Sequence, residues 1–512
     1  MTTTEKFQII PDYFDNEEDC KRSLRNRPQT NPRYRGFTQT HFTAGDAQQF
    51  ERYRDSTNGR VCLSSIDLQS NLFHNTPMKI EWDGYSNIPA TSVQNTFNYI
   101  FNKFKKGIFI KIQNNKLKVF LPFSKANFTN EWGDRIRSDP KYGSMEGFIK
   151  SVAKKTRFPA GNINRFTKSW GGNNCLVRYE YPLLEGDAGT MNMKDMFNEL
   201  CNNREVPDIE FFINRRDFPI LKKDGTEPYN HIFDSETFPL LSHKYDKYSP
   251  ILGGATTDNF ADIPIPTWDD WQRANPHKNF PKTCKTPSIT RIPWSDKKPT
   301  AVFRGGSTGC GVTQDTNPRL KVAYISKITP VEEGYPLIDA GITNWNVRPR
   351  KIQGSRYLQT IDIDSQPPLV SKMTPQEQSG YKYVINIDGH VTAFRLSLEM
   401  SFGSVILLAK SEYYIWYMKK LKPYEHYVPV KRDLSDLIEK IRWCRANDAQ
   451  CQKIAINSLE FYNKYLRKNG IFDYLQKLLV GIKKQTGIYL YNYKTPLEFQ
   501  IEKQMGENRI IR

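Results

Sequence analysis

The sequence has no cysteine pair at CxxC spacing and no histidine cluster. Its eight cysteines (Cys20, Cys62, Cys175, Cys201, Cys284, Cys310, Cys444 and Cys451) are scattered, which argues against a zinc site and a disulfide framework and favours a reducing compartment. His390 and His426 stand apart from any second His or Cys, so each reads as a core or loop histidine. The opening segment MTTTEKFQIIPDYFDNEEDC has no apolar stretch of the kind a signal peptide needs. Nowhere is there a run of about 18 apolar residues that would span a membrane. The final GENRIIR is not an endoplasmic-reticulum retention signal. Internal repeats and low-complexity tracts are missing too. The expectation is a cytoplasmic protein with no membrane span.

Acidic residues are in short supply: 55 Asp+Glu stand against 74 Lys+Arg, a formal net charge of +19. Such a balance suits anionic partners such as nucleotides, phosphates, nucleic acid or an acidic surface, and equally suits a basic solvated surface with no specific partner. A nucleic-acid binder would need a clustered Lys/Arg face interleaved with aromatics, whereas this excess is spread along the chain. With 512 residues, 38% of them hydrophobic and 13% aromatic, the chain can bury a sizeable core in two to four domains.

Four divisions follow from the pattern: an irregular extension over 1–60, a first lobe over 61–290, a second over 291–470 and a helical extension over 471–512. In the first lobe, GIFIKIQNNKLKVFLPF (107–123) reads as a hairpin around Asn114–Asn115, and DIEFFIN (208–214) as an apolar strand. Proline and turn residues thicken between about 217 and 300, where a boundary fits. Beyond it the reading is α/β. Thr300–Phe303 is a strand, 319–327 a helix, 336–342 a strand, and 426–430 a strand before a helix with apolar residues at Leu434, Leu437, Ile438, Ile441 and Cys444. Tyr381–Lys410 forms a strand–helix–strand unit, its strand at Tyr383–Ile387 and its helix about three turns long and stopped by Gly403.

Four constellations could carry chemistry. The loop Arg304–Gly311 places glycines after a strand, where backbone N–H groups can meet an anion; it lacks the lysine of a Walker loop and the third glycine of a dinucleotide fingerprint, and a tight connection is the alternative. Arg395 and Arg319 could clamp a diphosphate at strand ends, or sit exposed on surface helices. Asp217, in NRRDFP after the strand 208–214, is placed for a general base kept ionised by Arg215 and Arg216, or is a salt-bridged turn residue. Asp362-Ile363-Asp364 has the DxD form of a metal-binding triplet, a form that arises often by chance.

The ordered segments PDIEFFINRRDFP (207–219), IPIPTWDDW (263–271), IPWSDKKPTAVFRGG (292–306), NPRLKVAYIS (317–326), PLIDA (336–340), YKYVINIDGHVTAFRLSLEMSFGSVIL (381–407) and LKPYEHYVPVKRDLSDL (421–437) resemble glycosyltransferase family 90, the protein O-glucosyltransferase and capsule-associated-protein family. The likeness covers about 207 to 470, and the overall style is similar to versions in large DNA viruses. It implies an α/β fold of the GT-B type, with two Rossmann-like lobes and a cleft between them. It also implies an inverting, metal-independent transfer of glucose or xylose from a UDP-sugar to a protein or glycan hydroxyl, with no cofactor, no nucleic acid partner and, if viral, the host cytoplasm as location. The family's catalytic aspartate falls on Asp217, with Phe218 in place of a tyrosine. Its donor-binding positions fall on Arg304, Gly305, Gly306, Ser307, Arg319, Asp339, Phe394 and Arg395. Two departures stand out: the loop from Gly306 to Arg319 is longer than in animal members, and the paired cysteines of secreted members are missing. An inactive sugar-binding descendant is the other reading of the same residues.

Overall fold

A computed structural model describes residues 7–9, 106–125, 140–142, 188–225, 248–275, 289–346, 350–352 and 357–489, with scattered positions between 92 and 104. Most of the 1–60 extension, much of the first lobe and the segment after 489 lie outside the described residues.

The first sheet takes β1 (Phe7–Ile9), β2 (Lys106–Gln113), β3 (Lys116–Lys125), β4 (Ile209–Asn214), β5 (Ile251–Gly253) and β6 (Ile263–Pro264) in the order β1-β3-β2-β4-β5-β6. Asn114 and Asn115 join β2 to β3 with φ of 51° and 56°, the left-handed pair that a two-residue hairpin turn demands and asparagine tolerates. Helix α1 (Ala188–Asn203) locks that turn: Asn115 Nδ2 donates to the Cys201 carbonyl at 2.7 Å, and the Val206 N–H donates to Asn115 Oδ1 at 2.7 Å. The sheet is therefore antiparallel from β3 through β2 to β4 and parallel from β4 through β5 to β6. Only the second half is Rossmann-like, because a two-residue turn leaves no room for a crossover helix. Helix α2 (Trp268–Ala274) follows β6, started by a Thr267–Asp270 capping box.

The second sheet is parallel throughout. Strand β7 (Lys298–Gly306) feeds helix α3 (Pro318–Ile328), which returns through a small hairpin of β8 (Val331–Glu332) and β9 (Tyr335–Pro336) to β10 (Ile338–Asn344). A second small pair, β11 (Arg350–Lys351) and β12 (Leu358–Gln359), precedes β13 (Tyr381–Asn386), helix α4 (Leu396–Glu399), β14 (Val405–Ala409) and β15 (Val428–Val430). The order is β10-β7-β13-β14-β15. One face packs on α3, α5 (Leu437–Ala446) and α6 (Asp448–Tyr465). The other joins a core shared with the first sheet, which is why runs such as VILLA are buried at every position. The order reverses between β7 and β13, and in open parallel sheets ligands bind outside the carboxyl ends of strands at such a point.

Two expectations need correction. The helix of the Tyr381–Lys410 unit spans only Leu396–Glu399 plus a tighter turn at Met400–Phe402, ended by Gly403 at φ 63°. Its first strand ends at Asn386, and residues 387–395 form a loop. Likewise α5 begins at Leu437, with Leu434 in a positive-φ turn ahead of it. Helix α7 (Lys468–Tyr489) then crosses to the first sheet's helices. There Lys468 pairs with Glu199 at 2.7 Å, Arg204 with Asp473 at 3.0 Å, and Phe472 lies 5.4 Å from Trp271 ring to ring. Among the described residues no helix is long and apolar enough to cross a membrane.

Candidate active site

At the β7/β13 reversal two guanidinium groups meet. Arg319 lies one residue into α3, whose N-terminus is capped by Asn317, the Asn317 Oδ1 accepting from the Arg319 N–H at 3.0 Å. Its side chain reaches back over the strand ends: Nε donates to the Asp388 carbonyl at 2.9 Å and Nη2 to the Ile387 carbonyl at 3.1 Å. Nη1 donates to the Gly306 carbonyl at 3.2 Å and to Thr308 Oγ1 at 2.7 Å. Arg319 thus staples the carboxyl ends of β7 and β13.

Arg395 caps α4 and donates from Nη1 to the Arg304 carbonyl, while its Nε pairs with Glu399 at 2.8 Å. Glu399 is buried and takes a second bond from Asn386 Nδ2 at 2.6 Å. Both guanidiniums lie over the Phe303 ring, at 5.8 Å for Arg319 and 4.9 Å for Arg395. Gly305 lies beneath them: a Cβ there would make ordinary contact with Nη1 of each at 3.5 Å and crowd Phe303 at 3.0 Å.

Two cations stand here beside two carboxyl groups, Asp388 and the buried Glu399. Burial, followed by repulsion from Arg395, pulls the Arg319 pKa down to about 9. Burial also raises the Asp388 carboxyl, opposed by a hydrogen bond from Ser411 and by Arg319. The Nη2 of Arg395 has no hydrogen-bond partner among the described residues, and neither do the backbone N–H groups of Thr308 and Gly309. A site with two crowded cations and spare donors favours an anion, and a diphosphate has the charge and the oxygens to use them.

The other expected donor positions sit differently. Arg304 binds Asp339, Nη2 to Oδ1 at 2.7 Å, and Tyr381 donates its hydroxyl to Asp339 Oδ2 at 2.8 Å. These three side chains tie β10, β7 and β13 together, so Arg304 and Asp339 serve each other. Ser307 is wholly buried, and its hydroxyl accepts from the Asn346 N–H at 2.7 Å. Gly306 lies against the Asn344 side chain. Phe394 packs onto Gly254, past the end of β5, with 3.1 Å between a Gly254 Cβ position and its ring.

That contact carries the arginine pair to the first sheet. Asp270 of α2 accepts from Ser397 at 2.7 Å, Trp416 at 3.1 Å and Arg273 at 3.0 Å. Thr256 and Tyr414 pair backbone to backbone beside it, at 3.0 and 2.7 Å. The carboxyl ends of β4 and β5 therefore share a cleft with those of β7 and β13. Asp217 lies in the turn after β4, exposed, and no hydrogen bond or ion pair holds its carboxylate among the described residues. The flanking arginines also hold other partners: Arg215 donates to Thr190, and Arg216 Nε to the Phe104 carbonyl at 2.7 Å. Asp362 and Asp364 fall in an exposed turn after β12.

The Glycosyl transferase family 90 model matches residues 190–488, which contain every residue of this cleft. The chain belongs to glycosyl transferase family 90. This family-90 chain is 48% identical over 524 residues to Uncharacterized protein 179R of Invertebrate iridescent virus 6, covering 91% of this chain and 44% of that one. It is 26% identical over 330 residues to Protein O-glucosyltransferase 2 of Danio rerio, covering 62% and 58%. Among solved structures, Anabaena Alr3699/HepE in complex with UDP-glucose aligns over 39% of this chain and 50% of that one, at 12% identity and a TM-score of 0.22. The chain spans under half the length of the viral relatives it matches most fully.

Sequence reasoning missed Asn214, Asp262, Asp270, Asp388 and Glu399. Asn214 and Asp388 carried a usable signal, a polar side chain closing an apolar strand. Asp270 carried another, the Thr267-x-x-Asp270 capping-box spacing.

Proposed function

We propose that this family-90 chain transfers a sugar, glucose or xylose, from a UDP-sugar to a hydroxyl of a protein or glycan acceptor, inverting the anomeric centre without a metal. The observation that carries the reading is the like-charged pair Arg319 and Arg395 over Gly305, at the carboxyl ends of β7 and β13; Asp217, in the turn after β4, is the carboxylate we assign as base. Relatives named Protein O-glucosyltransferase favour glucose and a protein hydroxyl.

In the proposed step the Asp217 carboxylate takes the acceptor's O–H proton while that oxygen attacks the anomeric carbon. The bond from this carbon to the diphosphate oxygen breaks, and UDP leaves with the electron pair. Arg395 Nη2, the Arg319 charge and the loop amides stabilise the growing negative charge. A positioned base contributes about 10²–10⁴-fold, and each fixed donor roughly 2.7–4 kcal/mol when removed singly. Attack opposite the leaving group, with no covalent sugar–enzyme stage, inverts the centre. A screen of UDP- and GDP-sugars for hydrolysis tests the donor: we expect UDP-glucose or UDP-xylose to be cleaved. Turnover confined to GDP-sugars, or lost on adding EDTA, would overturn this reading.

A further inference from the structure

Asp217 has no partner among the described residues, so the turn around it supplies its orientation. The Asn214 carboxamide at the end of β4 holds both sides of that turn. Its Oδ1 accepts from the Arg216 N–H at 2.8 Å, and its Nδ2 donates to the Phe218 carbonyl at 2.7 Å. Behind it lies Asp262, which immediately precedes β6 and is wholly buried. The Ile220 N–H donates to both Asp262 oxygens at 3.0 Å, and the Leu221 N–H donates to Oδ2 at 2.7 Å. Burying a carboxylate is costly unless its oxygens are filled, and here they are filled by the backbone of this turn.

We infer that Asp262 is a positioning residue: through the Ile220 and Leu221 amides, its ionised carboxylate clamps the end of the turn that aims Asp217 at the acceptor. This inference rests on Asp217 being the base. No charged side chain bears on Asp262 among the described residues; its polar surroundings are Asn214, the two amides and its own N–H. Burial, outweighing those hydrogen bonds, pushes its pKa up to about 7. Below that pH the carboxyl is neutral and its bonds to the two amides lose their charge assistance, so the clamp slackens. Overall stability moves the opposite way. A raised folded pKa adds stability that is full below the ordinary carboxylate range and is lost as pH rises through about 7. The clamp is thus tightest where Asp262 helps the fold least, and a positioning role adds what an inert core aspartate would not produce, a kcat that follows the clamp.

The test uses the full chain, with UDP-glucose hydrolysis and amide hydrogen exchange over 215–221, corrected for intrinsic rates. In the wild type, exchange at Ile220 and Leu221 should slow and kcat should rise together through about pH 7, with UDP affinity unchanged. Asp262→Asn should lower kcat about 10–100-fold, within the range a general base supplies. Its KM should stay within twofold, and the limb near pH 7 should vanish. A kcat within twofold of wild type with the same limb would overturn the inference. Should that variant not fold, the wild-type profile decides alone: exchange that is flat from pH 5.5 to 8.5 refutes the clamp. Asp217→Asn separates the two ideas, since wild-type hydrolysis there removes the base while the exchange signature of the clamp persists.

Discussion

Replacing Arg395 with alanine removes three things from the cleft at once. The free Nη2 donor is lost, and a charge-assisted hydrogen bond is worth about 1.5–3 kcal/mol. The guanidinium over Phe303, 4.9 Å from its centroid, goes with it. Glu399 loses its ion pair although its side chain is only 2% exposed, so its negative charge faces the diphosphate uncompensated. Two charges roughly 6 Å apart at an effective dielectric of about 20 interact by about 3 kcal/mol, part of which relaxes when Glu399 turns toward Arg319. The net expectation is a loss of about 2–4 kcal/mol in UDP binding, roughly 30- to 1000-fold in Kd. Calorimetric titration with UDP measures it directly. Arg395→Lys keeps the charge without the planar fork and should lose only about fivefold. Adding Glu399→Gln to Arg395→Ala should recover part of the affinity, because the exposed carboxylate is gone. A folded Arg395→Ala protein that binds UDP within twofold of wild type would refute the clamp.

Asp217→Asn should leave UDP affinity intact and cut transfer by about 10²–10⁴-fold; single-turnover kinetics with UDP-glucose decide it, and a wild-type rate rejects the base. Gly305→Ala inserts a methyl 3.0 Å from Phe303 and 3.5 Å from both guanidiniums. Overpacking of this kind costs about 1–3 kcal/mol, and it should appear as weaker UDP binding together with a lower Tm. Lys297 is buried and donates its amine to the Phe402 carbonyl at 2.9 Å and to Ser404 at 3.0 Å, and burial lowers its pKa to about 8. Between about 8 and the usual 10.5 the unfolded chain binds the proton and the folded chain does not. Stability in urea titrations should therefore rise with pH across that window, and Lys297→Met should flatten the rise.

Legibility followed the range of the interaction. The hairpin at Asn114–Asn115, strand β4 and helix α3 were readable because turn chemistry and apolar periodicity act within a few residues. The glycines after β7 were readable as a place where something approaches the backbone. The span of α4 was misread because 391–401 has helical periodicity, while Arg319 holds the Ile387 and Asp388 carbonyls and keeps the chain in a loop up to Arg395. The pairing of Arg304 with Asp339 was not readable: the parallel register sets Asp339 opposite Val302, two residues back on the same face, and the long Arg304 side chain spans that offset.

By itself the sequence determined the α/β alternation, the carboxylate after β4 and the arginines after β7 and β13, since each depends on local pattern. Tertiary structure alone decided that Arg319 and Arg395 crowd over one glycine, that Asp262 stands behind Asp217, and that α7 returns to the first sheet. Those contacts join residues tens to hundreds of positions apart, and strand order and the packing of the two sheets, which no local periodicity encodes, bring them together.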